Sequence, residues 1–211
     1  MFTLEDILTD ANSLLDLEAS TPTGDELTLR TQLANRAVRE ASGLAQFSQL
    51  KQVYEVNTST LATIPLPSNF RELQEDPRIL DSSGNWNEYV EIDAEQKYNY
   101  NSSDKYCYVL GNPQEGYVLY LNNIIANATL SVVFQRYPSG FATLTDKSEL
   151  PDGDYITRKI EEYVLYARSD DRFPIAQGLA NQSLKNMIGR SMKTSGGQVR
   201  MTKATFTNPL K

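Results

Sequence analysis

The stretch SVVFQRYPSGFATLTDKSELPDGDYITRKIEEYVLYA, residues 131–167, changes its character twice within one continuous segment. It begins with β-branched and aromatic residues, which favour a strand. Residues 138–152 are rich in Pro, Gly, Ser and Asp, as loops are. Apolar residues then recur at helical spacing and predict a helix, with a face formed by Ile156, Ile160, Tyr163, Val164 and Ala167. This strand-loop-helix succession indicates an α+β protein.

Apolar periodicity predicts four helices, over residues 3–17, 24–43, 153–169 and 174–189. Thr3 can cap the first helix, with Glu5 and Asp6 near the positive end of its dipole. Its apolar face consists of Leu4, Ile7, Leu8, Ala11, Leu14 and Leu15. The turn between the first two helices is short, so we expect them to pack as an antiparallel hairpin.

The second and fourth helices also show start or stop signals in the sequence. Thr23 with Glu26 forms a capping-box pattern for the second helix, and Gly43 is a natural stop for it. Its apolar stripe is Leu33, Ala34, Ala37, Val38 and Ala41. Pro174 suits the first turn of the fourth helix. We expect the inward face of that helix to consist of Leu179, Ala180, Leu184, Met187 and Ile188.

Residues 52–137 form the predicted β region. Six segments rich in Val, Ile, Thr and Tyr are bounded by turn residues, at residues 53–56, 59–67, 87–92, 105–111, 116–121 and 129–137. GNPQEG (111–116) is typical of a hairpin loop, and DAEQKYN (93–99) of a helical turn. The fold class is therefore α+β. The N- and C-terminal helices form a bundle beside a central, mostly antiparallel β-sheet or small barrel. We predict a single domain over residues 1–190 and an extended C-terminal arm over 191–211.

Composition narrows the class of protein. The 211 residues are 40% hydrophobic, enough for one core, and no apolar run approaches the roughly 18 residues that cross a bilayer. The first residues carry acids and no basic region, unlike a signal peptide. One cysteine excludes an internal disulfide framework and fits a reducing cytosol.

Charge is distributed unevenly along the chain. Residues 172–211 contain seven of the 20 basic residues and no acid, so the preceding residues carry 13 basic and 27 acidic groups. Blocks of opposite sign suggest oriented contacts with a partner. The alternative is a basic tail that merely stays solvated.

The chain offers little for catalysis. It has no histidine and no Gly-rich phosphate loop. Three carboxylate pairs remain, and each has a structural explanation. Asp152 and Asp154 lie where a helix N-cap belongs, and Asp170 and Asp171 lie in a turn. Glu161 and Glu162 are expected on the solvated side of the third helix. DSSGN (81–85) lacks the spaced acids of a calcium loop and indicates a turn. We expect no enzyme activity, no metal and no cofactor.

Tyrosines cluster at Tyr98, Tyr100, Tyr106 and Tyr108. Alternate residues of a strand share one face, which could stack on sugars or bases, although half-buried strands also favour tyrosine. We interpret Trp86 and Cys107 as packing residues.

The succession of short motifs resembles the tailed-bacteriophage head-to-tail adaptor (connector) proteins. VVFQRYP is followed by a loop with LTD, and ELPD leads directly into a helix. Earlier, an N-terminal helix pair leads to TLATIPLPSNFREL, and YVLGNP with GYVLYL resembles the hairpin before the last strand. The resemblance spans residues 4 to about 190.

The resemblance implies a structural protein of the virion neck, made in the host bacterial cytoplasm. Such adaptors form a homo-oligomeric ring, commonly dodecameric, beneath the portal protein. They extend the DNA channel and present a platform for a downstream tail or nozzle protein. DNA would pass without specific binding, and no membrane is involved.

The resemblance also implies roles for particular segments. Helices three and four would build the ring, and the arm would dock on the portal through Arg190, Lys193, Val199, Arg200, Lys203, Phe206, Leu210 and Lys211. An arm too polar to fold alone can order on a partner. The long loop after the last strand is expected to contact a neighbouring subunit or partner, through Pro138, Phe141, Leu144 and Asp146.

Three alternatives stay open. The first is another neck protein, such as a stopper, although stoppers tend to lack flanking helices. The second is a carbohydrate- or nucleic-acid-binding module that uses the tyrosines and the basic arm, which the acidic body opposes in the case of DNA. The third is a carboxylate enzyme, which would need two carboxylates across a cleft.

Overall fold

The computed structural model describes residues 2–17 and 20–194, which form two compact units. The helical unit contains the described residues up to Leu50 and those from Pro138 onward, and the strand unit is Lys51–Tyr137. The predicted α+β class is confirmed, with helices toward both ends of the chain and mostly antiparallel sheets between them.

The described helices are α1 (Leu4–Leu14), α2 (Gly24–Leu44), α3 (Asp154–Ala167) and α4 (Phe173–Thr194). Helices α1, α2 and α4 each pack chiefly against α3, so the predicted hairpin of the first two helices is wrong. The reason is that α3 buries side chains around most of its circumference, including Ile156, Ile160 and Leu165. It is therefore the central helix of the bundle.

The helix ends follow local chemistry only in part. Thr3 and Asp6 form a reciprocal capping box at the start of α1, and the helix ends at Leu14 before Asp16 adopts a positive φ of 58°. Thr23 occupies the N-cap position of α2, but its side chain makes no capping bond. Gly43 lies inside α2 instead of ending it. Helix α4 continues to Thr194, beyond the predicted end at residue 189.

The helical core contains most of the predicted apolar faces of α1 and α2. Four of the five residues predicted for the inward face of α4 are also found there: Ala180 and Met187 are buried, and Leu184 and Ile188 are partly buried. The exception is Leu179, which is 44% exposed, and small residues contact the core in its place. The buried face of α4 consists of Ala176, Ala180, Ser183, Met187 and Ser191. Short side chains let two helices approach closely, which explains why a larger apolar residue stays outside.

The strands are β1 (Lys51–Asn57), β2 (Thr63–Pro65), β3 (Phe70–Leu73), β4 (Arg78–Leu80), β5 (Trp86–Glu88), β6 (Val90–Glu91), β7 (Tyr106–Asn112), β8 (Gly116–Leu121) and β9 (Thr129–Arg136). They form two sheets. One has the order β1-β9-β4-β5, with β3 also on β9, and the other has the order β2-β8-β7-β6. All pairs are antiparallel except β6 with β7.

Two of these strands, β3 and β4, were not predicted, because they are short and contain charged residues: Arg71 and Glu72 in β3, and Arg78 in β4. The predicted hairpin between β7 and β8 is confirmed. Gly111 has φ of 111°, and a Cβ there would lie 2.1 Å from the carbonyl oxygen of Gly116. The turn therefore requires glycine at this position.

The strand unit has its own apolar core between the sheets, around Phe70, Ile79, Tyr89, Leu119 and Phe134. Lys51 pairs with Gln135 across β1 and β9. The chain thus enters and leaves the unit on neighbouring strands, and the unit is an insertion between α2 and α3.

Candidate functional site

The loop after β9 is held to the helices of its own unit. The N–H of Phe141 donates to Asn35 Oδ1 at 2.6 Å, and Asn35 Nδ2 donates to the carbonyl of Phe141 at 2.9 Å. The Phe141 ring is buried in the helical core. The side chain of Asn35, in α2, therefore bonds both the N–H and the C=O of Phe141.

Asp146 organises the turn that follows. Its carboxylate accepts the N–H groups of Ala142 at 2.6 Å and Thr143 at 2.8 Å, and the Thr143 hydroxyl at 2.7 Å. These bonds, first among them the one from the Thr143 backbone, hold the pKa of Asp146 below its ordinary value. The carbonyls of Leu144 and Asp146 accept the N–H groups of Glu5 and Leu4 at the start of α1.

In the structure, Phe141, Leu144 and Asp146 make their contacts within the helical unit, and Pro138 is half-buried at the start of the loop. The residues that the loop exposes are different ones: Ser139, Ala142, Thr143, Thr145, Lys147 and Pro151. A partner contact by this loop stays a prediction, and these six residues are exposed for it.

Helix α4 presents an apolar surface to solvent. Ile175 is 67% exposed and Leu179, one turn later, 44% exposed. Next to the start of α4, Tyr166 and Phe173 pack with ring centroids 5.2 Å apart and line a depression of about 340 Å³. The sequence prediction missed this surface, because it assigned Leu179 to the core and did not single out Ile175 or Tyr166.

Acidic and basic residues are concentrated on different helices of the helical unit. The first turns of α1 and α2 carry exposed acids, namely Glu5, Asp6, Asp25 and Glu26. Helix α4 contains no acid and carries Lys185, Arg190 and Lys193. Arg190 is exposed and binds Asp152 at 2.8 Å.

Most of the predicted arm lies outside the described residues. Lys193 belongs to the last turn of α4. The remaining residues lie beyond residue 194, and these are Val199, Arg200, Lys203, Phe206, Leu210 and Lys211. Their role stays a prediction from the sequence.

A scan against known protein families matches residues 2–208 of the chain to the SU10 adaptor protein. The chain belongs to the SU10 adaptor protein family. No curated protein matches the chain. Membership confirms the resemblance to phage head-to-tail adaptors, and it identifies a phage structural protein that forms part of the virion.

In this adaptor the acidic pairs serve the fold. Asp154 accepts the hydroxyl of Ser183 at 2.5 Å, and Asp170 binds Arg172, which is the largest cause of the lowered pKa of Asp170. Glu161 and Glu162 are buried, which corrects their predicted solvated position. They bind Arg158 and Lys159, respectively. Among residues 2–17 and 20–194, no three metal-ligating side chains converge.

The clustered tyrosines of the adaptor divide into two groups: Tyr98 and Tyr100 are 84% and 39% exposed, whereas Tyr106 and Tyr108 pack internally. Tyr108 stacks on Tyr120 at 4.7 Å and lies near Tyr106 at 6.5 Å, and both Tyr106 and Tyr108 are buried. Cys107 is buried, as predicted, and burial raises the pKa of its thiol. Trp86 is 56% exposed, so its interpretation as a packing residue is wrong.

One structural observation concerns membranes. In the part of the chain from residue 2 to 17 and from 20 to 194, no helix combines the length and apolar character that a bilayer span requires.

Proposed function

We propose that this adaptor assembles as a dodecameric ring beneath the portal protein, in the neck of the virion. The ring extends the DNA channel and provides the platform for a downstream tail or nozzle protein. The observation that supports this proposal is the family match, which extends over residues 2–208 and therefore over the whole described chain.

The ring is built by copies that contact one another through the helical unit. The exposed apolar residues of α4, Ile175 and Leu179, supply the area that an interface buries. The acid-free α4 of one copy faces the acidic first turns of α1 and α2 in the next. A contact between two different faces repeats head to tail and can close into a ring.

The C-terminal arm docks on the portal. Residues 195–211 contain no acid and include Arg200, Lys203 and Lys211, so they suit an acidic surface on the portal protein. The acidic remainder of the chain suits a channel wall, because negative charge does not hold DNA phosphates. DNA therefore slides through the ring without specific binding.

The test compares the full chain with a chain that ends at Thr194, which leaves α4 intact. Each protein is mixed with empty and DNA-filled tailless heads, and bound protein is quantified after sedimentation. We expect stoichiometric binding by the full chain and at least a tenfold loss on truncation. Arg200→Ser with Lys203→Ser should weaken binding in the same direction, and Lys97→Ser in the strand unit serves as the charge control.

The possible outcomes separate the parts of the proposal. Binding that survives truncation would move the portal contact to the helices and disprove the docking arm. No binding of the full chain to either kind of head would disprove the neck position. Native mass spectrometry of the bound protein after release gives the ring stoichiometry.

A further inference from the structure

Strand β1 is an open edge of its sheet. Within the described residues it pairs only with β9, and it is seven residues long. The other edge strands of the unit are shorter: β3 has four residues, β2 and β5 have three each and β6 has two. Proteins usually shorten, cover or interrupt a long edge, because its free backbone groups pair readily with another strand.

The hydrogen bonds next to β1 show which of its backbone groups are free. Thr58, the residue after β1, donates its N–H to Ala128 and accepts the N–H of Asn127, so both its groups point toward the β9 side. Directions alternate along a strand, and Gln52, Tyr54 and Val56 therefore bond β9. On the opposite side of β9, Gln74 donates to the carbonyl of Val133, which agrees with this alternation.

Four residues of β1 consequently direct N–H and C=O groups to the open side: Lys51, Val53, Glu55 and Asn57. Val53 is 54% exposed, and Glu55 is exposed beside it. Tyr54 and Val56 point to the other face, where they are only partly buried at the margin of the strand core. An added strand would cover this apolar margin and bond the free backbone groups at the same time.

Charge determines what kind of strand fits. The strand unit contains eleven acidic and six basic residues, and Lys51 is already bound to Glu75 at 2.6 Å. Glu55 is therefore the accessible charge of the edge, and the field of the whole unit is negative. A strand with apolar residues toward Tyr54 and Val56, and with basic residues toward Glu55, complements both faces.

We infer that an extended, basic segment of the downstream tail protein adds to β1 as a further strand. This inference rests on the proposed function, and it specifies how the platform holds the tail. A second copy of the chain does not fit the edge. Its other described edges are too short, and pairing of two β1 strands would give a closed two-fold dimer instead of a ring. The chain's own basic arm is not the added strand either, because the proposed function assigns that arm to the portal.

Amide hydrogen exchange on the unaltered full chain tests the premise. We expect slow exchange at Gln52, Tyr54 and Val56 and fast exchange at Val53, Glu55 and Asn57. Slow exchange at all six amides would mean that the chain's own C-terminal segment or a second copy already covers the edge. That result would overturn the inference.

Synthetic peptides then serve as the probe, because the tail segment is unidentified. An acetylated peptide of four lysine-valine repeats should slow exchange at Val53, Glu55 and Asn57 at least tenfold. A glutamate-valine peptide and a peptide with its lysines and valines in two blocks should have little effect. An equal effect of all three peptides, or no effect of the first, would contradict the inference.

A variant pair tests the edge in the particle. Val53→Pro removes one outward N–H and leaves the bonds to β9, since proline is tolerated on the free side of an edge strand. Val53→Thr replaces one methyl group of the exposed side chain by a hydroxyl group and keeps the N–H. With Val53→Pro we expect DNA-filled heads that carry the adaptor and lack tails, and with Val53→Thr we expect tailed particles.

Each outcome is decisive. Tailed particles with Val53→Pro would overturn the added strand. Loss of head binding by a folded Val53→Pro protein would place β1 at the ring or portal contact instead, which also overturns it. Failure of the unaltered chain to bind heads would disprove the proposed function, which is a different result. If Val53→Pro does not fold, the exchange measurements on the unaltered chain decide.

Discussion

At the scale of single residues, Asn35 is the most informative side chain of the helical unit. It satisfies the N–H and the C=O of Phe141 with one amide group, at a separation of 106 residues in the chain. A buried or half-buried backbone group without a partner is costly. Asn35 therefore fixes the start of the loop that follows β9.

We expect Asn35→Ala to lower the free energy of unfolding by about 2 kcal/mol, because two hydrogen bonds of roughly 1 kcal/mol each are lost. Urea unfolding followed by circular dichroism measures the change. Gln32→Ala on the same helix is the control, since Gln32 is exposed. Equal stability of the two variants would show that water replaces Asn35 without cost.

Asp146 makes the stability of the same loop dependent on pH. Its pKa in the folded chain is lowered from 3.8 by the bonds from Thr143 and Ala142. Because the folded chain favours the ionised carboxylate, Asp146 stabilises the fold above pH 3.8. This stabilisation is lost as the pH falls through the pKa of Asp146 in the folded chain. Below about pH 4, the free energy of unfolding should thus fall less steeply in Asp146→Asn than in the unaltered chain.

Unfolding by urea between pH 2 and pH 6 checks this expectation. Asp10→Asn removes the same charge from an exposed position of α1 and controls for net charge. Parallel pH profiles for the unaltered chain and Asp146→Asn would contradict the assigned role.

At the scale of elements, a charged cluster joins α2 to α3. Lys159 Nζ lies 2.8 Å from Glu162 Oε1 and 3.7 Å from Glu40 Oε2. Arg36 binds Glu40 at 2.9 Å, and both cations lie over the ring of Tyr163, at 4.7 Å for Arg36 and 5.0 Å for Lys159. The Glu162 side chain is only 8% exposed, so its charge depends on this partner.

Lys159→Met keeps the apolar stem and removes the cation, which leaves a buried carboxylate unpaired. We expect a loss of about 3 kcal/mol in the free energy of unfolding. The double variant Lys159→Met with Glu162→Gln should recover at least half of that loss, because the uncompensated charge is gone. Equal losses in the single and double variants would exclude the ion pair as the cause, and Lys185→Met at an exposed site is the control.

At the scale of the whole molecule, the chain consists of one unit inserted into another. Each unit has its own apolar core, and the core residues of the helical unit come from that unit alone. The first and last strands of the inserted unit are neighbours, about 5 Å apart as in any sheet. The insertion therefore requires only that the end of α2 and the start of the loop before α3 lie about as far apart as two neighbouring strands.

We expect the helical unit to fold after residues 51–137 are replaced by a Gly/Ser linker of about five residues, a length that spans neighbouring strands with slack. Circular dichroism should show a helical protein that unfolds in one cooperative transition. The strand unit Lys51–Tyr137, expressed alone, is the companion measurement. A linker variant without cooperative unfolding would show that the helices depend on the strand unit.

Much of this architecture follows from local sequence patterns. The helix periodicity, the Thr3 cap and the β7–β8 hairpin depend on residues within a few positions of one another, and each is found where the sequence predicts it. The succession of short motifs also suffices for the family, which the match over residues 2–208 confirms.

The sequence by itself therefore determined the α+β class, most helix faces and the adaptor family, because periodicity and turn chemistry act over short distances. Only the tertiary structure decided which helix is central, that Glu161 and Glu162 are buried and that Trp86 is exposed. It also decided the Asn35–Phe141 bond and the open edge of β1. These features depend on which distant segments meet, and a side chain's environment is not encoded in its immediate neighbours.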